Sequence, residues 1–286
     1  MGGLIFLFGS GWAFFVGAAM ALAGVTALPW LVGGKASAAR IVALLGLAVT
    51  ALSAAPLSLW WYATASVLLI ASLFARQRSG PVDGARRGPS ALWWGTLAIW
   101  LGGMALELPY QFSPRVPPLN GPPLYIVGDS ITAGVGAGDG PTWPRRLPDR
   151  VAVGDYSRMG ATAASALKNC RDLPPKGLVL VEIGGNDLLG DTAAAAFERD
   201  LDRLLMHVGP GRTVLMFELP LPPLANEYGR IQRRLAAKHG VQLIPKRVLM
   251  GVLSGGGATL DSVHLSSAGH QQMADRVWEM IAPAYD

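Results

Sequence analysis

The sequence predicts an α/β domain, a parallel sheet with helices on both faces, preceded by an α-helical transmembrane bundle, and three observations lead there. Apolar residues make up 51% of the chain and crowd before residue 108, while only 15% are charged, against ~25% in an ordinary soluble protein. Beyond residue 122, short apolar runs alternate with amphipathic ones, the pattern of strands joined by crossover helices. Between the two regions lies PYQFSPRVPPLNG, residues 109–121, with neither helical nor strand periodicity. The expected layout is a transmembrane region over 1–108, a proline-rich linker over 109–121 and the α/β domain over 122–286.

Residues 3–33 are almost wholly apolar, longer than the ~20 needed to cross a bilayer, and predict one span ending near Trp30 as an interfacial anchor. A cleaved signal peptide is the competing reading. No Lys or Arg precedes the run and it exceeds a signal h-region, so retention is expected. The next apolar block, broken at Ser53-Ala54-Ala55-Pro56, predicts a hairpin of helices over 41–56 and 57–75, with Trp60, Trp61 and Tyr62 at the interface beside the turn. A fourth span is expected over 90–108, with Trp93 and Trp94 at one end. Gly9, Gly17 and Gly24 would allow close helix packing. The spans carry no carboxylate, histidine or basic residue away from their ends, which favours a tether over an ion path.

Positive charge falls in two places. One expected loop holds Lys35 and Arg40, the other holds Arg76, Arg78, Arg86 and Arg87, and the turn near Pro56 is uncharged. The positive-inside rule makes both basic loops cytoplasmic, so four crossings leave both chain ends outside the cytoplasmic membrane. The net charge of +5 is mostly a property of these loops, and no nucleic-acid partner is expected. Proline-rich chain extends ~3.1 Å per residue, so residues 109–123 would reach on the order of 45 Å in full and the outer domain would work near the membrane face.

In the outer domain, strands are expected at Leu124 to Val127, Val151 to Tyr156, Leu178 to Ile183, Thr213 to Glu218 and Val241 to Ile244. Helices are expected over Thr192 to Val208, Asn226 to His239 and Ser266 to Ile281, with Gly209 and Gly240 as stops. Gly134 to Arg145 and Val248 to Leu260 read as glycine- and proline-bearing loops. Ser130 follows the first strand, in PLYIVGDSITAG, at the edge where ligands bind in open parallel sheets. The plainer reading of Asp129-Ser130 is a helix cap. Two further loops, Arg158 to Thr162 and Gly184 to Asp187, share that edge if the sheet is parallel, and Asp261 to His264 could join them. Cys170, the single cysteine, excludes an intrachain disulfide and reads as a buried small hydrophobe.

A serine hydroxyl needs a base within hydrogen-bond reach to act as a nucleophile. His264 is the candidate, and Asp261, three residues earlier, can face it and hold its tautomer. His207 and His270 fall within predicted helices and His239 ends one, positions that suit structural or solvent-facing roles. A rival reading makes Asp129, Asp187, Asp261 and His264 ligands of a divalent metal. That leaves Ser130 and Gly160 unexplained, so no metal and no cofactor is expected.

From about residue 122 the chain resembles the SGNH (GDSL-like) hydrolase family. Four blocks match in order: GDSITAG from Gly128, Gly160 in RMGATAASAL, GGND from Gly184, and DSVH from Asp261. The stretch LPLPPLANEYGRIQRRLAAKHGVQLIP is similar to the thioesterase and lysophospholipase branch. Leu265 stands where the family often has proline after the histidine, and Pro148 interrupts the usual first helix. The resemblance implies a flavodoxin-like three-layer α/β/α domain. It implies Ser130 as nucleophile, His264 and Asp261 completing the triad, and an oxyanion hole of the Ser130 and Gly160 backbone N–H groups and the Asn186 side-chain amide.

The expected function is thus a membrane-anchored serine esterase on the extracytoplasmic side of the cytoplasmic membrane, with the bilayer as its partner. Its ester-bearing substrates would be lysophospholipids, other acyl lipids or O-acetylated envelope glycans. Two alternatives stay open: an O-acyltransferase using the same residues, and a non-catalytic envelope-binding protein.

Overall fold

The computed structural model describes residues 2–75, 90–134, 140–190, 192–261 and 263–285. The expected basic loop with Arg76, Arg78, Arg86 and Arg87 lies outside the described residues, as do part of the loop after Gly134 and Ser262. The chain divides into one unit of Met1–Ser10, Tyr110–Leu221 and Glu227–Asp286 and another of Gly11–Pro109 and Pro222–Asn226.

The first apolar stretch, expected as one span over 3–33, is two helices, α1 (Gly2–Gly9) and α2 (Trp12–Ala27). They part at Gly11, whose φ of 84° lies in the left-handed region that side chains disfavour. Hydropathy ran unbroken through Gly9-Ser10-Gly11, but the backbone did not. α1 packs within the first unit, with Gly9 close against the Met250 side chain.

In the second unit, α2 runs through a 3-10 turn, Leu28–Trp30, into α3 (Gly33–Ala51), α4 (Leu59–Phe74) and α5 (Ala91–Glu107). Lys35 and Arg40, expected in a loop, lie inside α3, because their alanine-rich setting favours helix. Ser58 and Ser90 cap the next two helices by accepting from Trp61 N–H and Trp93 N–H at 3.1 and 3.3 Å. The stretches Trp12–Trp30, Gly33–Ala51 and Ala91–Gln111 are long and apolar enough to cross a membrane. α4 has 16 residues, about 24 Å of helix against a core of about 30 Å.

Gly17 and Gly24 on α2 and Gly46 on α3 let these two helices meet backbone to backbone: a methyl group on Gly46 would stand 2.5 Å from the Gly17 carbonyl. Trp61, expected at the interface, is instead buried in the bundle, edge to face with Trp100 at 5.7 Å and donating to the Ile99 carbonyl at 3.2 Å. Trp60 beside it is exposed. A buried indole that finds a carbonyl loses nothing by leaving the interface.

The first unit is built on five parallel strands, β1 (Leu124–Gly128), β2 (Val153–Asp155), β3 (Gly177–Glu182), β4 (Arg212–Phe217) and β5 (Gln242–Ile244), in the order β2-β1-β3-β4-β5. That is the flavodoxin-like doubly wound order, whose ligand crevice opens at the strands' carboxyl ends between β1 and the strands on either side of it. The sheet is buried on both faces, since Leu178, Val179, Leu180 and Val181 are all fully buried along β3. This is why these strands read as continuous apolar runs. On one face Leu124, Ile126, Leu180 and Phe217 form a core with Val248, Leu249 and Val252 of α11 (Lys246–Leu253) and Met273, Val277 and Ile281 of α12 (Ser267–Ile281). The remaining helices are α6 (Ser130–Ala133), α7 (Ala163–Asn169), α8 (Gly185–Leu189), α9 (Ala194–Val208) and α10 (Asn226–His239).

The proline-rich stretch is no free spacer. Val116 enters the same core, Gly121 N–H donates to the Ala284 carbonyl at 2.9 Å, and Arg247 donates to the Gln111 carbonyl at 2.6 Å. The Arg233 guanidinium lies 3.4 Å over the Tyr110 ring. With 110–123 packed along the sheet domain, the expected reach of an extended linker does not apply. The expected loop Val248 to Leu260 likewise begins as helix α11.

Candidate active site

β1 ends at Gly128, where an added Cβ would meet the Thr132 side chain at 2.6 Å, so the chain can fold back into α6 only with glycine there. Asp129 caps α6, its Oδ1 accepting from Ile131 N–H at 3.0 Å. The helix-cap reading of Asp129-Ser130 is therefore correct, and it is what seats Ser130 as the first residue of α6, 9% exposed at the strand end.

The loop after β2 lies alongside, because Arg158 N–H donates to the Gly128 carbonyl at 3.1 Å. Two residues on, Gly160 has φ 68°, and a Cβ built on it meets nothing within 4 Å. Its face is open, so a ligand's approach to this stretch of backbone is unobstructed. Thr162 and Ser165 then form a capping box that starts α7.

The loop after β3 turns at Gly184, φ 117°, into α8, which carries Asn186 and Asp187. The Asn186 amide nitrogen donates to Asp129 Oδ2 at 3.2 Å and to the Ala161 carbonyl at 3.1 Å, joining all three loops. Asp187 Oδ2 accepts from Ala163 N–H at 2.9 Å and pins the start of α7. Burial pushes Asp187 above the usual carboxylate range.

Asp261 and His264 sit on a tight hairpin closed by a bridge between Thr259 and Leu265 and by Leu260 N–H donating to the His264 carbonyl at 2.9 Å. Leu265 is buried and anchors the hairpin where the family often has proline. His264 Nδ1 meets Asp261 Oδ2 at 2.6 Å, while Asp261 Oδ1 accepts from the backbone N–H groups of Val263 and His264 at 3.1 and 2.8 Å. These bonds, that to the imidazole first, pull Asp261 down to about 2. The His264 ring acts electrostatically on Asp129, the residue before Ser130.

The other histidines are occupied elsewhere. His270 is buried in α12 and accepts from Trp143 N–H at 3.2 Å, His207 meets the Cys170 carbonyl at 2.9 Å, and His239 meets Asp202 at 2.6 Å. Cys170 is buried, which raises its thiol to about 11. Among the described residues no three His, Cys, Asp or Glu side chains are grouped to hold a metal. The residue that sequence reasoning missed is Glu182, fully enclosed beneath this loop system. Its signal was a lone charge inside the apolar run LVLVEIGG.

Comparison with known proteins places the chain in a family. A family model, GDSL-like Lipase/Acylhydrolase, matches residues 126–272, a stretch that includes all five candidate residues. The Esterase TesA of Pseudomonas aeruginosa is 29% identical over 177 residues, covering 56% of this chain and 88% of that protein. An Arylesterase of Vibrio mimicus is 29% identical over 141 residues, covering 43% of this chain and 69% of that protein. Among solved structures, that of TesA covers 56% of this chain and 98% of its own at 29% identity, with a TM-score of 0.49.

Proposed function

We propose a mechanism for a chain that belongs to the GDSL-like lipase/acylhydrolase family and is a serine hydrolase acting on esters: Ser130 is its nucleophile, His264 its base and Asp261 the group that orients the base. Ser130 Oγ attacks the acyl carbon as its proton passes to His264 Nε2, and the carbonyl oxygen becomes an oxyanion. The backbone N–H groups of Ser130 and Gly160 and the Asn186 amide receive that charge. The C–O bond to the alcohol breaks, the alcohol takes the proton from His264, and the acyl group remains on Ser130. Water then attacks the acyl carbon, gives a proton to His264, and the acid leaves as Ser130 recovers its own. The observation that carries this reading is the 2.6 Å contact between His264 Nδ1 and Asp261, which leaves Nε2 as the free ring nitrogen to work on Ser130.

The proposed site of action is the extracytoplasmic side of the cytoplasmic membrane, on acyl lipids or O-acetylated envelope glycans. Three apolar helices of crossing length support the anchorage. Arg40 donates to the Leu73 carbonyl at 3.2 Å, so the basic turns of α3 share one end of the bundle with the end of α4 that leads into the Arg-rich stretch. One basic end supports the cytoplasmic assignment of both.

The test is hydrolysis of p-nitrophenyl esters from acetyl to palmitoyl by the full-length protein in detergent, beside Ser130→Ala. Turnover is expected to vanish in the variant. A preference for long acyl chains supports a lipid substrate and one for acetyl supports a glycan. Wild-type rates no higher than those of the variant on every ester would overturn hydrolysis.

A further inference from the structure

β3 carries a carboxyl group where its other buried residues are apolar. Glu182 is 2% exposed and stands beside Gly128 across the parallel ladder. Its Oε2 accepts from Thr132 Oγ1 at 2.9 Å and from Asp129 N–H at 3.4 Å, so it holds α6 and the residue before the nucleophile together. The Glu182 and Asp129 carboxyl groups are also close enough to act on each other's ionisation. Two like charges so placed in a buried site would repel, which favours a proton on one of them.

The surroundings decide which acid keeps the proton. Burial, reinforced by the Asp129 charge, pushes Glu182 well above the usual carboxylate range. Asp129 is pushed up to about 6 by burial, restrained by the Ile131 N–H, by Glu182 and by the attraction of His264, with Asp187 adding a smaller push upward. Burial thus favours the neutral form at Glu182, while Asp129, which accepts from the Ile131 N–H and the Asn186 amide, is favoured as the carboxylate. That carboxylate receives the Asn186 amide, which has two N–H groups for three acceptors: Asp129, the Ala161 carbonyl and the reacting oxygen. One can turn to the substrate only if its anchor stays still.

We propose that Glu182 is a positioning residue of the ester hydrolysis: its buried carboxyl shares one proton with Asp129, and the pair fixes the Asn186 amide for the oxyanion. The inference rests on the serine-esterase mechanism above. It requires Glu182 to stay neutral, so the activity carries an alkaline limit that belongs to a group touching neither substrate nor nucleophile.

The experiment is the pH dependence of kcat and KM for a p-nitrophenyl ester with wild type, Glu182→Gln, Glu182→Leu and Ser130→Ala. Gln can accept from Thr132 and donate to Asp129 but cannot ionise. It should turn over at neutral pH within about threefold of wild type and lack the wild type's alkaline decline. Leu removes both contacts and should lower kcat by about 10²-fold with KM little changed, the cost of a misplaced group. An alkaline limb identical in wild type and Glu182→Gln would overturn the proposal, as would wild-type kcat in a Glu182→Leu protein that melts as wild type does. If Leu prevents folding, the Gln profile decides alone. Turnover surviving in Ser130→Ala would sink the serine mechanism itself, whereas an inert Ser130→Ala beside an unaltered Gln profile removes only the role of Glu182.

Discussion

At the scale of single residues, Asp261 shows how an exposed group can be held in one state. Its two oxygens take three hydrogen bonds from Val263 and His264, and they keep the carboxylate ionised down to about 2. A depressed value means that the group's contribution to stability is complete above the ordinary carboxylate value, 3.8, and is lost as pH falls from there through about 2. Asp261→Asn should flatten that part of a plot of melting temperature against pH. In catalysis the same change replaces an acceptor for Nδ1–H by a group that can also donate, so the imidazole is free to take the wrong tautomer. We expect kcat to fall by roughly 10² to 10⁴ while the melting temperature at neutral pH hardly moves. Unchanged kcat in Asp261→Asn would remove Asp261 from the triad.

At the scale of elements, the sheet was readable because both of its faces are buried. A strand that alternates nothing, such as Leu178 to Val181, announces itself as an apolar run, and the order of the blocks put Ser130, Gly160 and Asn186 at strand ends. Local period could not show what tertiary packing decides. α11 was hidden because its eight residues, with Gly251 among them, are too few to display a helical period. The break at Gly11 was masked by hydropathy, which is blind to φ. Pro114 to Pro118 reads as spacer by composition, yet Val116 fills part of the core. Glu182 was hardest, since its meaning depends on Thr132 and Asp129, some fifty positions earlier in the chain. Only the register that sets Gly128 beside Glu182 brings them together.

At the scale of the whole molecule, the sequence gathers positive charge at Lys35, Arg40 and the Arg-rich stretch 76–87, while the turn near Pro56 carries no charge. That asymmetry is worth little to folding and much to orientation, because basic segments near span ends resist translocation. With Cys170 replaced by alanine and a single cysteine placed at position 83, a membrane-impermeant thiol reagent should leave intact cells unlabelled and should label after lysis. Labelling of intact cells would reverse the orientation and move the esterase to the cytoplasm. The chemistry does not depend on that outcome, for the proposed triad and oxyanion donors all belong to the α/β unit. The most direct test of the mechanism is the mass of that unit's peptides after the full-length protein meets a p-nitrophenyl alkylphosphonate, which phosphonylates an activated serine and then stops. The adduct should sit on the peptide containing Ser130, form far more slowly in His264→Ala, and be absent in Ser130→Ala. An adduct on another residue, or one that forms equally fast without His264, would contradict the assignment of Ser130 and His264 as nucleophile and base.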